Sequence, residues 1–231
     1  MLIFFSNGVS VRRHRTAAIP AIVLFLLMLS VTSATAMTDP SAPPALCTGR
    51  FDDDARLGPE ALPSVGQHPL GGLLDGWLRT GGLEPSEFLR RYWDGPPDAG
   101  RWKYPPHDGF AEVNGTADQT AVELPAGSML DRFGRDSGTF LTSAGTPYAT
   151  RSLPPQSLRT SDDGAVCGYH LYEVTRPFPV RSGPTAPWFG QPGGGLQIKL
   201  DAELLDPGPR QRLNVRWLLD HGYLASRTPV E

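Results

Sequence analysis

The chain has 231 residues, and its 21 basic side chains against 24 acidic ones give a formal net charge of −3. Such a chain lacks the excess of basic residues that neutralising many phosphates requires, which excludes a typical nucleic-acid-binding protein. Hydrophobic residues make up 39% of the chain, enough for a core, while 26 glycines and 24 prolines predict short elements joined by many turns.

The N-terminal segment has the pattern of a secretory signal peptide. Arg12, Arg13 and Arg15 precede an apolar run over residues 21–29, and small residues at 34–36 form a cleavage signature. A membrane anchor is the alternative, but a nine-residue run is far shorter than the ~20 residues that cross a bilayer. We therefore predict that residues 1–36 are removed and that the protein is secreted. The remaining chain would hold 18 basic and 24 acidic residues, a net charge of −6.

Cys47 and Cys167 are the only cysteines, and both lie in the part predicted to be exported. In an oxidising compartment two cysteines usually form one disulfide. That bond would close a loop of about 120 residues and stabilise the fold by roughly 4 kcal/mol. Two free buried thiols are the alternative.

Residues 37–100 are predicted to form an N-terminal helical region that begins with a flexible, proline-rich lead-in. One helix face is predicted from apolar residues spaced i, i+3, i+4, i+7 and i+8, namely Leu70, Leu73, Leu74, Trp77 and Leu78. A second, shorter helix begins near Pro85, because proline at the first position and acids in the first turn favour a helix start.

From residue 101 onward, short apolar runs alternate with glycine and proline, which is typical of a sheet-centred module. The predicted strands are Thr120–Leu124, Met129–Phe133, Gly168–Val174 and Gly195–Leu200. A last helix is predicted over residues 214–221, where Gly222 would end it. The fold class is therefore predicted as α+β, a small, twisted, mostly antiparallel sheet with a short helical N-terminal region.

Two arginines are placed at the ends of predicted elements. Arg132 closes a strand just before Phe133 and Gly134, and Arg151 follows nineteen residues later. The planar guanidinium fork suits phosphate, to which it donates two parallel hydrogen bonds. Membership of a surface ion pair is the alternative for either arginine.

A glycine-rich loop over residues 186–195 forms the second cluster. Gln191 lies between prolines 187 and 192 and precedes three glycines, and its amide can donate and accept at once. The loop is neither a Walker loop nor a dinucleotide fingerprint, since the required lysine and the following helix are missing. A plain turn between strands is the alternative.

The remaining chemistry-bearing residues predict no metal site. The histidines at 68, 107, 170 and 221 are scattered without an i, i+4 pair, and no Gly-x-Ser-x-Gly motif occurs. Zinc hydrolases and serine hydrolases are therefore disfavoured.

Several segments resemble, in order, the tuberculosis necrotizing toxin domain and the secreted fungal NAD glycohydrolases that share it. These segments are residues 101–110, 131–134, 138–141, 145–148, 151–155, 169–174, 186–195 and 222–224. The resemblance covers roughly residues 101–225, and residues 47–63 are similar to the N-terminal part of the fungal members. It implies an N-terminal region over residues 37–100 followed by the enzyme domain over residues 101–231.

The resemblance implies hydrolysis of NAD+, and also of NADP+, to nicotinamide and ADP-ribose without a required cofactor. The catalytic residues that it implies are Arg132 and Gln191, and the substrate-binding residues are Phe133, Phe140, Arg151 and Trp188. The chemistry is consistent, because nicotinamide is a cationic leaving group that departs neutral and needs no general acid. Orientation and charge stabilisation are then what the site must supply.

The resemblance also implies a homodimer and, in some members, a structural calcium ion near the C-terminus. Asp201, Glu203, Asp206 and Asp220 are candidates for that ion, with ordinary surface acids as the alternative. Two other functions stay open. ADP-ribosyl transfer or cyclisation commonly relies on a glutamate, which the Gln191 loop lacks, and a non-catalytic secreted binding module would leave NAD intact.

Overall fold

A seven-stranded antiparallel sheet dominates the computed structural model, which describes residues 45–229. These residues lie in one compact unit. The predicted signal peptide lies outside the described residues. Within residues 45–229, no helix is both long enough and apolar enough to cross a bilayer.

The described elements are short. The helices are α1 (Leu70–Leu73), α2 (Pro85–Tyr92) and α3 (Val215–Asp220). The strands outside the large sheet are β1 (Trp93–Asp94), β2 (Arg101–Trp102), β3 (Glu112–Val113) and β4 (Thr116–Ala117). The large sheet is built from β5 (Thr120–Leu124), β6 (Met129–Phe133), β7 (Phe140–Ser143), β8 (Tyr169–Val174), β9 (Phe178–Pro184), β10 (Leu196–Lys199) and β11 (Leu224–Arg227).

The strand order of the large sheet is β11-β8-β6-β7-β10-β9-β5, and each neighbouring pair is antiparallel. β6 stays paired with β8 along its full length, but it pairs with β7 only at Leu130 and Asp131. Beyond Asp131 the two strands part, while β7 continues beside β10 as far as Phe140. A gap therefore opens in the sheet next to Arg132.

One face of the sheet is covered by α3. Val215 and Leu218 of this helix are fully buried against strand residues such as Leu130 and Val174. The helix begins at a well-formed cap, because the Asn214 side chain accepts a hydrogen bond from the Trp217 amide at 2.8 Å. Burying each of these apolar side chains contributes roughly 1.5–3 kcal/mol to folding.

The other face carries a second core that joins the N-terminal region to the sheet. Phe133 and Tyr148 pack there with rings at 4.8 Å, beside α1. Cys47 and Cys167 form a disulfide across 120 residues of sequence, just before β8. The N-terminal region is thereby fixed at the start of β8, the strand that pairs with β6, which carries Arg132.

The structure confirms the α+β class and the mostly antiparallel sheet, and the four predicted strands fall within two residues of their predicted bounds. The predicted helix through Trp77 and Leu78 was wrong, since α1 ends at Leu73 and Gly76 adopts a left-handed φ of 69°. β7, β9 and β11 were not predicted. β9 contains two prolines, which obscure a strand pattern.

Candidate active site

A cavity of about 590 Å³ lies at the gap between β6 and β7. Its volume falls within the range of small-molecule sites. Its walls come from the ends of β6 and β7 and from the segments around Tyr104–Gly109, Arg151–Leu153 and Gly195–Gln197, with Arg212 contributing from the loop before α3. Of the predicted site residues, the cavity brings together Arg132, Phe133, Phe140 and Arg151.

Arg132 is half-buried and is oriented by main-chain carbonyls. Its Nε donates to the Gly134 oxygen at 3.2 Å, and its Nη1 donates to the Phe140 oxygen at 2.8 Å across the gap in the sheet. Burial lowers the pKa of the guanidinium, and electrostatic interactions with the Tyr172 hydroxyl and the Asp136 carboxylate oppose that shift. Arginine nevertheless remains protonated in proteins, so the cavity contains a cation with spare donors.

The guanidinium of Arg132 lies against Gly138. A Cβ at position 138 would lie 2.2 Å from Nη2 and 2.4 Å from Nη1 of Arg132. The backbone at Gly138 does not take a positive φ, so this glycine is needed for space and not for its conformation.

Arg151 is committed to a buried ion pair. Its Nη1 and Nη2 meet the two carboxylate oxygens of Asp131 at 2.5 and 3.0 Å. Asp131 also accepts from the Tyr169 hydroxyl and the Gly145 amide, both at 3.0 Å. The Thr146 carbonyl accepts from Nε and Nη2 of Arg151, so four of the five N–H groups of Arg151 are engaged. Arg151 is therefore charge-neutralised where it borders the cavity.

The cavity has aromatic walls of two kinds. Phe133 is buried and supports the Arg151 guanidinium, which lies 5.0 Å from its ring centroid. Phe140 and Tyr104 are instead 38% and 60% exposed and line the cavity. An exposed ring can stack on a flat heteroaromatic ligand, whereas a buried one cannot.

Gln191 and Trp188 do not line the cavity. Gln191 is buried, and its Nε2 donates to the Leu78 oxygen at 2.6 Å and to the Phe189 oxygen at 3.3 Å. The Trp188 indole donates to the Lys103 oxygen at 2.6 Å and packs on Tyr92. Both side chains attach their loop to the N-terminal region, so the structure does not bring them together with Arg132.

The glutamine that does line the cavity is Gln197, which sequence reasoning missed. Alternation along β10 buries Ile198 in the core and leaves Gln197 on the opposite face. Its Nε2 donates to the Asp108 oxygen at 3.0 Å, which leaves Oε1 free to accept. The period-two pattern of β10 was the signal that could have found it. Tyr104 and Arg212 were also missed.

The acids proposed for calcium do not form a cation site. Asp201 pairs with Arg181 at 2.9 Å and accepts from the Glu203 amide, and Asp206 accepts from the Gly208 amide. Across residues 45–229, no three histidine, cysteine or acidic side chains are grouped so that they could hold a metal ion. These residues therefore do not fit the structural calcium that the resemblance implies.

The sequence comparisons agree on one family. The family model described as tuberculosis necrotizing toxin matches residues 123–226. A conidial surface nicotinamide adenine dinucleotide glycohydrolase of Aspergillus fumigatus is 42% identical over 174 residues, 74% of this chain and 68% of the relative. This chain belongs to that family. The match begins well before residue 101, because 174 aligned residues exceed the 131 residues of the predicted enzyme domain.

A solved structure of the family is similar as well. The tuberculosis necrotizing toxin in complex with its immunity factor shares 24% identity with this family member, with a TM-score of 0.48. The alignment covers 62% of this chain and 71% of the toxin.

Proposed function

We propose that this protein hydrolyses the N-glycosidic bond of NAD+ and releases nicotinamide and ADP-ribose. The observation that supports this most strongly is a cavity that combines cationic, aromatic and amide side chains, in a chain 42% identical to an NAD glycohydrolase. Water supplies the hydroxyl that replaces nicotinamide on the ribose carbon and releases its other proton to solvent, and the positive charge of the pyridinium is lost as nicotinamide departs neutral.

The carboxylates at the cavity fit this reaction. Glycosidases that expel an alcohol use two carboxyl groups, one of which protonates the leaving oxygen. Here Asp131 is held by Arg151, and Asp108 is held by Lys199 at 2.6 Å. Neither is a free acid or base, and a leaving group that departs neutral requires none. The site instead orients the substrate and stabilises the developing oxocarbenium charge.

We assign the roles of the cavity residues accordingly. Phe140 stacks on the nicotinamide ring, and Arg132 binds the phosphate side of the substrate. Gln197 takes the role first assigned to Gln191, because its free Oε1 can accept from a ribose hydroxyl or from the attacking water.

ADP-ribosyl transfer and cyclisation are disfavoured by the cavity lining. No glutamate of residues 45–229 lines this cavity, although such reactions commonly rely on one. The test is to incubate the purified chain from residue 37 with NAD+ and identify products by mass spectrometry. Free nicotinamide with ADP-ribose is expected. Cyclic ADP-ribose or a modified protein would refute simple hydrolysis, and intact NAD+ would indicate a binding module.

We further propose that the enzyme is secreted, acts on NADP+ as well as NAD+, needs no metal, and forms a homodimer. The disulfide between Cys47 and Cys167 supports export, because such bonds persist in oxidising compartments. Activity in the culture medium, activity retained in EDTA, parallel assays with both dinucleotides, and light scattering after gel filtration test these four points separately.

A further inference from the structure

The charges that line the cavity do not balance. Asp131 is matched by Arg151, and Asp108 is matched by Lys199. Arg132 and Arg212 also line the cavity, and neither has a carboxylate within ion-pair distance among residues 45–229. The cavity therefore presents two uncompensated guanidinium groups.

The carboxylate whose charge acts on Arg132, that of Asp136, is already engaged. Asp136 accepts a hydrogen bond from the Tyr172 hydroxyl and forms an ion pair with Arg216 Nη2 at 2.8 Å. His170 approaches the same carboxylate at 3.9 Å. Asp136 thus lies in a separate network, and the field of Arg132 is left available to an anion in the cavity.

Arg212 is exposed, yet its segment is fixed. Leu213 is buried, and two backbone amides that follow it bind to the segment over residues 136–138 beside Arg132. The Val215 amide donates to the Gly138 oxygen at 3.0 Å, and the Arg216 amide donates to the Asp136 oxygen at 2.9 Å. These bonds hold the backbone of Arg212 beside the part of the cavity that Gly138 shapes.

We propose that Arg212, together with Arg132, binds a phosphate group of the dinucleotide substrate. This inference rests on the proposed function and assigns Arg151 a positioning role instead of a phosphate contact. Arg132 retains three unused N–H groups, and Arg212 donates no hydrogen bond within the described structure. Two guanidinium forks match a doubly anionic diphosphate in charge and in donor geometry. The 2′-phosphate of NADP+ carries the same chemistry and is the other source.

The test compares Arg212→Gln with Arg210→Gln, a matched exposed arginine two residues away that does not line the cavity. We expect Arg212→Gln to raise KM for NAD+ about tenfold or more with kcat within about twofold, as for the loss of a charge-assisted hydrogen bond. Arg210→Gln should change neither. Nicotinamide riboside, which has no phosphate, should react equally with the wild type and both variants.

The two dinucleotides distinguish the source of the phosphate. An equal loss on NAD+ and NADP+ assigns Arg212 to the diphosphate, and a loss confined to NADP+ assigns it to the 2′-phosphate. An unchanged KM for both, an equal effect of Arg210→Gln, or an equal loss on nicotinamide riboside would overturn the proposal.

A binding measurement separates this inference from the proposed function. Calorimetric titration with inorganic diphosphate should give weaker binding to Arg212→Gln than to the wild type. If the wild-type chain left NAD+ intact, hydrolysis would be refuted while this titration still decided the phosphate site. Equal binding of diphosphate by both proteins would refute the site.

Discussion

Replacing Gly138 by alanine isolates the placement of Arg132 from its chemistry. The added Cβ would lie 2.2 Å from Nη2, whereas ordinary contacts begin at 3.4 Å. The guanidinium must therefore move by about 1.2 Å, because hydrogen bonds to Arg135 and Val215 hold the Gly138 backbone on the other side of the contact. A displacement of about 1 Å in a positioning group can cost about a hundredfold in rate. We expect Gly138→Ala to lower kcat/KM for NAD+ by roughly that factor.

The assay is steady-state release of nicotinamide, with thermal unfolding as the check on folding. The displaced side chain is flexible and the backbone of Gly138 is unstrained, so Tm should stay within a few degrees of the wild type. Gly72→Ala is the matched control, since a Cβ there meets nothing within 4 Å, and it should retain full activity. Wild-type kcat/KM in Gly138→Ala would show that the position of Arg132 does not govern the reaction.

Three further predictions concern other parts of the molecule. Gln197→Ala should lower kcat at least about a hundredfold with little change in Tm. Gln191→Ala should instead lower the free energy of unfolding by about 1–3 kcal/mol, because it leaves the Leu78 oxygen without its donor. If activity and denaturation assays gave the opposite result for the two variants, Gln191 would belong to the site. The Cys47→Ser/Cys167→Ser double variant should lose about 4 kcal/mol of stability in urea titrations, because a loop of 120 residues is released, and a loss below about 1 kcal/mol would contradict this. The Arg56 hydrogen bond lowers the pKa of Asp54 in the folded state. The stabilisation from this pair is therefore complete above the unfolded pKa of ~4 and is lost as the pH falls through the lower folded value. Asp54→Asn should make Tm depend less on pH on that acid side, and an unchanged slope of Tm against pH would refute the contribution.

Local patterns were sufficient for the strands that carry the site. β6 and β8 are short runs rich in apolar and aromatic residues with turn residues at both ends, so their bounds follow from composition and punctuation. The first predicted helix failed for a reason that is not local. Gly71 packs where a Cβ would lie 1.8 Å from the Ser64 oxygen, and the left-handed Gly76 turns the chain away soon afterward.

The site itself depends on pairings that sequence spacing does not reveal. In the sequence, Arg132 and Arg151 are equivalent as arginines at element ends, but in the structure only Arg151 meets a buried carboxylate. Gln191 was conspicuous because of its prolines and glycines, and those residues shape a loop that packs on Gly81. Gln197 was inconspicuous because it lies within an ordinary strand. Unusual local composition indicated backbone geometry here, and the glutamine that lines the cavity came from a regular element.

The same pairings explain how one small cavity can contain carboxylates and still bind an anionic substrate. Asp131 is buried within the cavity wall, and an unpaired carboxylate there would repel the phosphates of a dinucleotide and cost several kcal/mol in desolvation. Arg151 removes both penalties while fixing Phe133 and the end of β6. Breaking that pair by Asp131→Asn would leave the Arg151 charge buried, so stability and activity should fall together. In Arg212→Gln, by contrast, only substrate affinity should fall, because that arginine is exposed and supports no other side chain in the described structure. The charge arrangement of the cavity thus predicts two kinds of arginine. Arg151 is neutralised and builds the wall, whereas Arg132 and Arg212 are free to meet the substrate.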